Sequence, residues 1–508
     1  MSWARRIRRP PHWALLAGIT ALGAALRLPS LGRQSFTVDE LYTAWLVHMP
    51  TGRMLSTIPK TESTPYLYYL AVHAWAHAGG YSEASLRLIS ALAGIGTVPV
   101  AAAAARALAS RRVGLAVAAL VAANPLMVSY SQQARAYALA TFLAAVALWA
   151  FAEALSSWET RWLVMWSAAS CLAIATHYFA AMPFVAQAAW LLVAAGRRRG
   201  ARPVAIAVGP AVITGIALIP LVWTQRSHPG GTEAASLAVR VVQLPASFVV
   251  GYATPAKVPV TIAGAILTLV AIVGLPRLTG RPRSGGAVGG AMALATVVPP
   301  LLLALAGVDL VVAGRFLQAT VPVTLVIAAG ALATRAGRWA LGGLVALSIA
   351  VVVVSASGAR VDRQDFRGVA RFLGPPRPSR AMVFQPDLAA GPFGVYFPGA
   401  TRARREVRLV SEVDLIALAV EGQYSARQLR PPPPPRRPPR LRGFRLVRER
   451  TASSYTALVY RAPRPAAVDL ALLDLLSLDR TQFAGVWTQR PRGAPRTGHL
   501  PARTAAGP

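Results

Sequence analysis

A chain of 508 residues with 55% hydrophobic and only 14% charged residues, its apolar side chains gathered in long runs, is not an ordinary soluble enzyme. A net charge of +34 would suggest nucleic acid in a soluble protein, but here many arginines fall in short loops between apolar runs, the positive-inside pattern of membrane proteins. Cys171 is the only cysteine, which excludes an intramolecular disulfide.

In chain order, Arg5, Arg6, Arg8 and Arg9 precede a first apolar run, Trp13 to Leu28. That run also resembles a secretory signal peptide, with small residues at Gly23-Ala24-Ala25; an uncleaved anchor is the favoured reading, and the topology that follows is the same either way. Further runs begin at Ala84, Val113, Ala136, Trp162, Ala180, Val204, Val258, Ala287, Phe316 and Trp339, so about 11 spans are expected in a membrane domain over 1–355. Clusters of arginine follow the second, sixth, eighth and tenth runs. If the spans alternate, the N-terminus is cytoplasmic and segment 29–83 is an external loop. Within that loop Tyr66 to Ala78 is apolar but too short to span, and reads as an interfacial helix. A second external loop, Thr224 to Lys257, mixes apolar residues with Arg226, Glu233 and Arg240 and is expected along the surface.

From Ala356 the pattern changes. Asp362 to Leu373 has helical spacing, while Ala381 to Gln385, Gly394 to Phe397 and a hairpin over Phe444 to Arg461 read as strands, giving a small α+β extracytoplasmic domain over 356–462. Arg430 to Arg440, with five consecutive prolines, is a polyproline-type insert, and 463–508, apart from Val468 to Leu478, is expected to be a disordered or loosely attached tail.

Only eight of the 19 acidic residues precede position 356, and Asp39, Glu40, Glu62 and Glu83 all lie in the first external loop. Carboxylates beside a bilayer are functional candidates, although Asp39 and Glu40 also suit the first turn of a helix. Adjacent helical residues point about 100° apart, so the two cannot aim at one atom; one can act as a base while the other positions a second substrate or a neighbouring cation. External arginines run against the positive-inside trend. Arg135, in NPLMVSYSQQARAY, and Arg315, before the tenth run, can each hold a phosphate at headgroup depth, while snorkelling or a pair between Arg315 and Asp309 is the plain alternative. His177-Tyr178 closes the fifth run externally, and a lone histidine at a membrane boundary is more often structural; His177 and Glu62 are the weak candidates for a metal. No Walker loop, Cys/His cluster or Gly-x-Ser-x-Gly element is present, so nucleotide chemistry and serine hydrolysis have no support.

Phe36 to Ala44 (FTVDELYTA), Thr64 to Tyr69 (TPYLYY), Ser82 to Ala91 (SEASLRLISA), Asn124 to Tyr137 and His177-Tyr178 resemble, in that order, the polytopic GT-C glycosyltransferases. The similarity is to bacterial relatives of the protein O-mannosyltransferases and aminoarabinose transferases (glycosyltransferase family 39/83-like), and covers residues 10–330. Where many members carry His-Pro-Pro-Leu, this chain has Ser63-Thr64-Pro65-Tyr66. The resemblance implies transfer from a polyprenyl-phosphate sugar, with inversion, to a glycan, lipid or protein hydroxyl outside the plasma membrane. In that scheme Asp39 is the general base and Glu40 orients the acceptor. Arg135, with Arg315 and Lys60, stabilises the departing lipid phosphate, and Glu62, His177 and Tyr137 contact donor or acceptor. The rivals are a transporter or lipid flippase, which should show broken or charged midplane positions and a repeat between halves, and a non-catalytic scaffold in which Asp39 is dispensable.

Overall fold

A computed structural model describes residues 11–197, 200–226, 236–251, 256–357, 364–377, 379–385, 387–403, 406–419, 439–478 and 484–489. The chain divides into two compact units, Met1–Val361 with Gly422–Gln428, and Asp362–Glu421 with Leu429–Pro508.

The first unit is helical. It begins with α1 (His12–Ala25), α2 (Val38–Val47), α3 (Thr51–Thr61) and α4 (Leu67–Gly79). There follow α5 (Glu83–Leu108), α6 (Arg111–Ala123), α7 (Pro125–Ser131), α8 (Tyr137–Ser157), α9 (Thr160–Thr176), α10 (Ala181–Gly196), α11 (Arg202–Ala217) and α12 (Ile219–Gln225). The unit ends with α13 (Leu237–Val250), α14 (Lys257–Ile272), α15 (Gly280–Leu305), α16 (Thr320–Leu332) and α17 (Arg335–Ser357), with a 3-10 helix, Ala313–Ala319, leading into α16.

Among the described residues eight helices are long and apolar enough to cross a membrane, nine if the bent pair α6–α7 is one span. The protein is a multi-pass membrane protein. Two runs separate this count from the eleven expected: α1 has 14 residues and α9 has 17. At 1.5 Å per residue these reach about 21 and 26 Å, short of a hydrocarbon core about 30 Å thick.

The first external loop is ordered by local chemistry. Thr37 caps α2 through a capping box with Glu40, and Ser82 caps α5 by accepting from the Ser85 N–H. α3 is amphipathic, burying Met54 and Ile58 while Arg53 and Lys60 are exposed. α4 is the half-length apolar helix expected from the sequence, and the second external loop contains α13. The α6–α7 pair bends by 57° at Asn124, which accepts from the Met127 N–H and donates to the Phe248 carbonyl at the end of α13. After α7 the chain lies beside α2, where the Ala134 N–H meets Glu40 and Arg135 meets the Asp39 carbonyl.

The second unit contains α18 (Phe366–Leu373), β1 (Arg380–Gln385), α19 (Ala390–Phe393), β2 (Ala400–Arg402), β3 (Val407–Leu418), β4 (Arg445–Thr451), β5 (Tyr455–Asp469) and β6 (Gly485–Gln489). They form one six-stranded sheet in the order β2-β6-β1-β3-β5-β4, with β1 and β3 parallel and all other pairs antiparallel. Two expectations are corrected. Gly394 to Phe397 is not a strand: it follows α19 as a turn that stacks Phe397 on Phe393 at 4.6 Å. The region after 463 is not all loose tail, because β5 runs to Asp469 and β6 lies between β2 and β1 with Trp487 fully buried. Residues 430–438 of the proline-rich insert lie outside the described residues.

Candidate functional site

The site gathers where α2, the end of α3 and the turn between α7 and α8 meet. Asp39, the second residue of α2, is exposed, and its backbone carbonyl accepts from Arg135 Nη1 at 3.2 Å. Arg135, at the turn between α7 and α8, is 8% exposed and donates from the same Nη1 to Glu62 Oε2 at 2.9 Å. Glu62 closes the C-terminus of α3 and is buried; its Oε2 also accepts from Tyr69 Oη at 2.5 Å, and Thr64 Oγ1 lies 2.9 Å from the same hydroxyl. Glu62 Oε1 is buried and makes no hydrogen bond among the described residues.

The electrostatics follow from this packing. Burial raises the Glu62 carboxyl above the ordinary carboxylate range, with Arg135 and the Tyr69 hydroxyl opposing it and the Asp39 charge adding to it. Burial works against the charge on Arg135, but Glu62 and Asp39 outweigh it and hold the guanidinium protonated. Arg135, Glu62 and Asp39 thus form one electrostatic group.

A second group faces it. His177 ends α9, its ring centroid 5.3 Å from that of Tyr137 on α8, and its Nδ1 accepts from the Phe179 N–H at 3.3 Å. Burial, then the charges of Arg315 and Arg135, lower its pKa to about 3, so the imidazole is neutral. Arg315 lies in the 3-10 helix before α16, 9% exposed, with its guanidinium carbon 5.8 Å from the Phe179 ring centroid. Among the described residues it forms no ion pair. Asp309, its plain alternative partner, is taken instead by Arg240.

Of the residues singled out in the sequence, Asp39, Glu62, Arg135, Tyr137, His177 and Arg315 are therefore brought together. Lys60 is exposed at the end of α3, and among the described residues no hydrogen bond or ion pair joins it to this group. Glu40 does not reach open space and is unsuited to orienting an acceptor. Fully buried, it takes Arg87 Nε on Oε1 at 2.7 Å and Arg87 Nη2 on Oε2 at 2.8 Å, with the Ala134 and Thr37 N–H groups completing its shell. Among the described residues Glu62 and His177 belong to no group of three or more metal-ligating side chains.

Sequence reasoning missed Arg87, Tyr69, and Gln225, which donates to the Thr64 carbonyl at 3.2 Å and accepts from Tyr178 Oη at 2.7 Å. Arg87 carried a usable signal: like Arg135, it is an arginine near the start of an apolar run expected to begin on the external side.

The family model for dolichyl-phosphate-mannose-protein mannosyltransferase matches residues 63–223, under half of the chain. The crystal structure of ArnT from Cupriavidus metallidurans in the apo state superposes with a TM-score of 0.51 at 12% identity, covering 76% of this chain and 84% of that one. This chain has the GT-C fold. ArnT from the same organism bound to undecaprenyl phosphate gives 0.51 at 13% identity with the same coverage. The Saccharomyces cerevisiae Pmt1-Pmt2 complex bound to the sugar donor covers 42% of this chain and 33% of that one, with a TM-score of 0.33 and 17% identity. No curated protein matches. On the GT-C scaffold the family match spans α4 to α12 and contains Arg135, Tyr137 and His177, while Asp39 and Arg315 lie outside it.

Proposed function

We propose that this chain is an inverting glycosyltransferase that moves a sugar from a polyprenyl-phosphate donor to a hydroxyl acceptor on the extracytoplasmic face of the cell membrane, with Asp39 as the general base. The observation that carries this reading is one exposed carboxylate, Asp39, in the field of the buried Arg135, with a second guanidinium, Arg315, that shares the field of His177 with Arg135 and has no ion-pair partner among the described residues. The family description names a dolichyl-phosphate sugar chemistry, and one fold neighbour is bound to undecaprenyl phosphate, which supports a lipid phosphate as the leaving group here.

In the reaction the acceptor oxygen attacks the anomeric carbon as Asp39 takes its proton. The bond from that carbon to the phosphate oxygen breaks on the opposite face, so the configuration inverts and the lipid monophosphate leaves with an added negative charge. Arg315, aided by Arg135, stabilises that charge in a partly desolvated site. Glu62 holds Arg135 in place with Oε2. Cationic side chains fill the role a metal would take with a diphosphate, so no metal is required.

The test is transfer from a panel of labelled polyprenyl-phosphate sugars in membranes containing wild-type protein or Asp39→Asn at matched expression. Loss of one specific transfer in the variant supports the assignment and names the donor. Equal transfer by both removes Asp39 from the mechanism. No transfer from any donor to a supplied native envelope acceptor turns the reading toward a transporter or lipid flippase.

A further inference from the structure

Arg240 and Asp309 stand apart from the residues assigned to chemistry, yet they frame Arg315. Arg240, in the first turn of α13, is 5% exposed; its Nη1 donates to Asp309 Oδ1 at 2.9 Å and to the Val311 carbonyl at 2.7 Å, and its Nη2 donates to Asp309 Oδ2. Asp309 Oδ1 also accepts from the Val311 N–H at 3.2 Å, and the Arg315 N–H donates to the Val312 carbonyl at 3.0 Å. One two-point ion pair therefore closes the segment after α15 that presents Arg315.

Asp309 senses two arginines. Its carboxyl is held below the usual carboxylate range, first by the Arg240 hydrogen bond, with burial opposing, and also by the charge of Arg315. Arg315 itself has no carboxylate partner among the described residues, although an ionised Asp309 lies within its field. A bidentate guanidinium fork satisfies both carboxylate oxygens at once, so while Arg240 holds Asp309 there is little drive for that carboxylate to turn toward Arg315.

We propose that Arg240 is a positioning residue that sequesters Asp309 and so keeps the Arg315 guanidinium available to the anionic phosphate of the lipid-linked donor. This rests on the reading of Arg315 as a phosphate-binding group. Without Arg240 the Asp309 carboxylate swings to Arg315, neutralises it and competes with the donor. The loss then comes from Asp309, so deleting Asp309 should undo it.

The experiment measures binding of polyprenyl monophosphate to the purified full-length protein, with thermal unfolding recorded in parallel, for wild type, Arg240→Gln, Asp309→Asn, the double variant and Arg315→Ala. Arg240→Gln should weaken binding about tenfold or more. The double variant should return to within about threefold of wild type, because Arg315 is free again. Asp309→Asn alone should bind as tightly as wild type or more tightly. A double variant as weak as Arg240→Gln, or an Arg240→Gln that binds like wild type, would sink the proposal and leave the pair a purely structural tie. Should Arg240→Gln fail to fold, Asp309→Asn decides: tighter or equal binding supports sequestration, and a tenfold loss overturns it. The Arg315→Ala arm is separate, since wild-type affinity there rejects the phosphate-binding reading itself, whatever the other variants do.

Discussion

Glu40 and Arg87 meet in a two-point ion pair, Nε to Oε1 at 2.7 Å and Nη2 to Oε2 at 2.8 Å, with both side chains almost completely buried. The pair is a splice between three pieces of chain. Arg87 on α5 also donates to the carbonyls of Leu31, Gln34 and Ser35, and Glu40 accepts from the Thr37 and Ala134 N–H groups. Asp39 thus sits on a helix start fixed to α5, and Arg135 follows a residue fixed to the same carboxylate. Glu40→Gln should lower stability and transfer together, because removing one member of a buried pair leaves the other uncompensated, a loss of about 3–5 kcal/mol. Asp39→Asn should leave the melting temperature unchanged while transfer falls about 10²- to 10⁴-fold. Thermal unfolding beside a transfer assay separates the two, and equal losses of stability would place Asp39 in the structural class.

Glu62 should control the acid side of the pH profile. Its raised carboxyl takes up a proton at a higher pH than Asp or Glu in water, and protonation removes the counter-charge that fixes Arg135. Transfer should therefore rise with pH through the Glu62 titration, with its acid limb above the usual carboxylate range. Glu62→Gln removes that limb and lowers the rate about 10- to 100-fold by loosening Arg135. A Glu62→Gln profile with the acid limb in place would assign the limb to another group.

Much of this arrangement was legible, and its failures have one cause. Asp39, Arg135 and Arg315 stood out because charges on the external side of a membrane protein need a reason, and that argument requires only position along the chain. For Glu40 the residues left open a helix first turn or a neighbouring cation as well as a substrate, and the choice was hidden because its partner Arg87 is distant in sequence: no local pattern tells a carboxylate aimed at substrate from one aimed into a helix bundle. The capture of Asp309 by Arg240 rather than Arg315 was hidden for the same reason. In the second unit β6 was lost in a Pro- and Arg-rich stretch: five residues, Gly485–Gln489, become a strand through pairing with β1 and β2, not through their own propensity.

His177 should behave as a neutral cap. With its pKa lowered to about 3 by burial and by Arg315 and Arg135, it contributes no titration between pH 5 and 8 to the rate profile. The sign for stability follows from a folded-state value below the ordinary 6.5: its contribution is present above about 6.5 and is lost as pH falls toward about 3. His177→Asn keeps an acceptor for the Phe179 N–H and should melt near wild type, whereas His177→Ala should lose about 1 kcal/mol. Unfolding curves of the two variants at pH 7.5 test this, and equal melting temperatures would deny the cap.

Asp414 sets the pH response of the second unit. It lies on β3 between Met382 of β1 and Val459 of β5, fully buried, with Arg380 Nε 3.2 Å from Oδ2 and no hydrogen bond to either oxygen among the described residues. Arg380 is committed elsewhere, donating to Glu412 Oε1 at 2.7 Å, to Gln489 Oε1 at 3.1 Å and to the Leu373 carbonyl at 2.8 Å. Burial, with Glu412 adding to it against the pull of Arg380, pushes Asp414 up to about 8. Between the unfolded value of 3.8 and about 8 the folded state carries a proton that the unfolded state lacks, so stability falls as pH rises across that window. Asp414→Asn removes the titration while keeping the shape. Hydrogen exchange of the β1 and β3 peptides, corrected for the intrinsic rate, should quicken in the wild type from pH 6 to 8 and stay level in Asp414→Asn, which should be the better protected of the two at pH 8. Equal protection at both pH values in the wild type would mean that Asp414 is ionised in the fold and that Arg380 neutralises it.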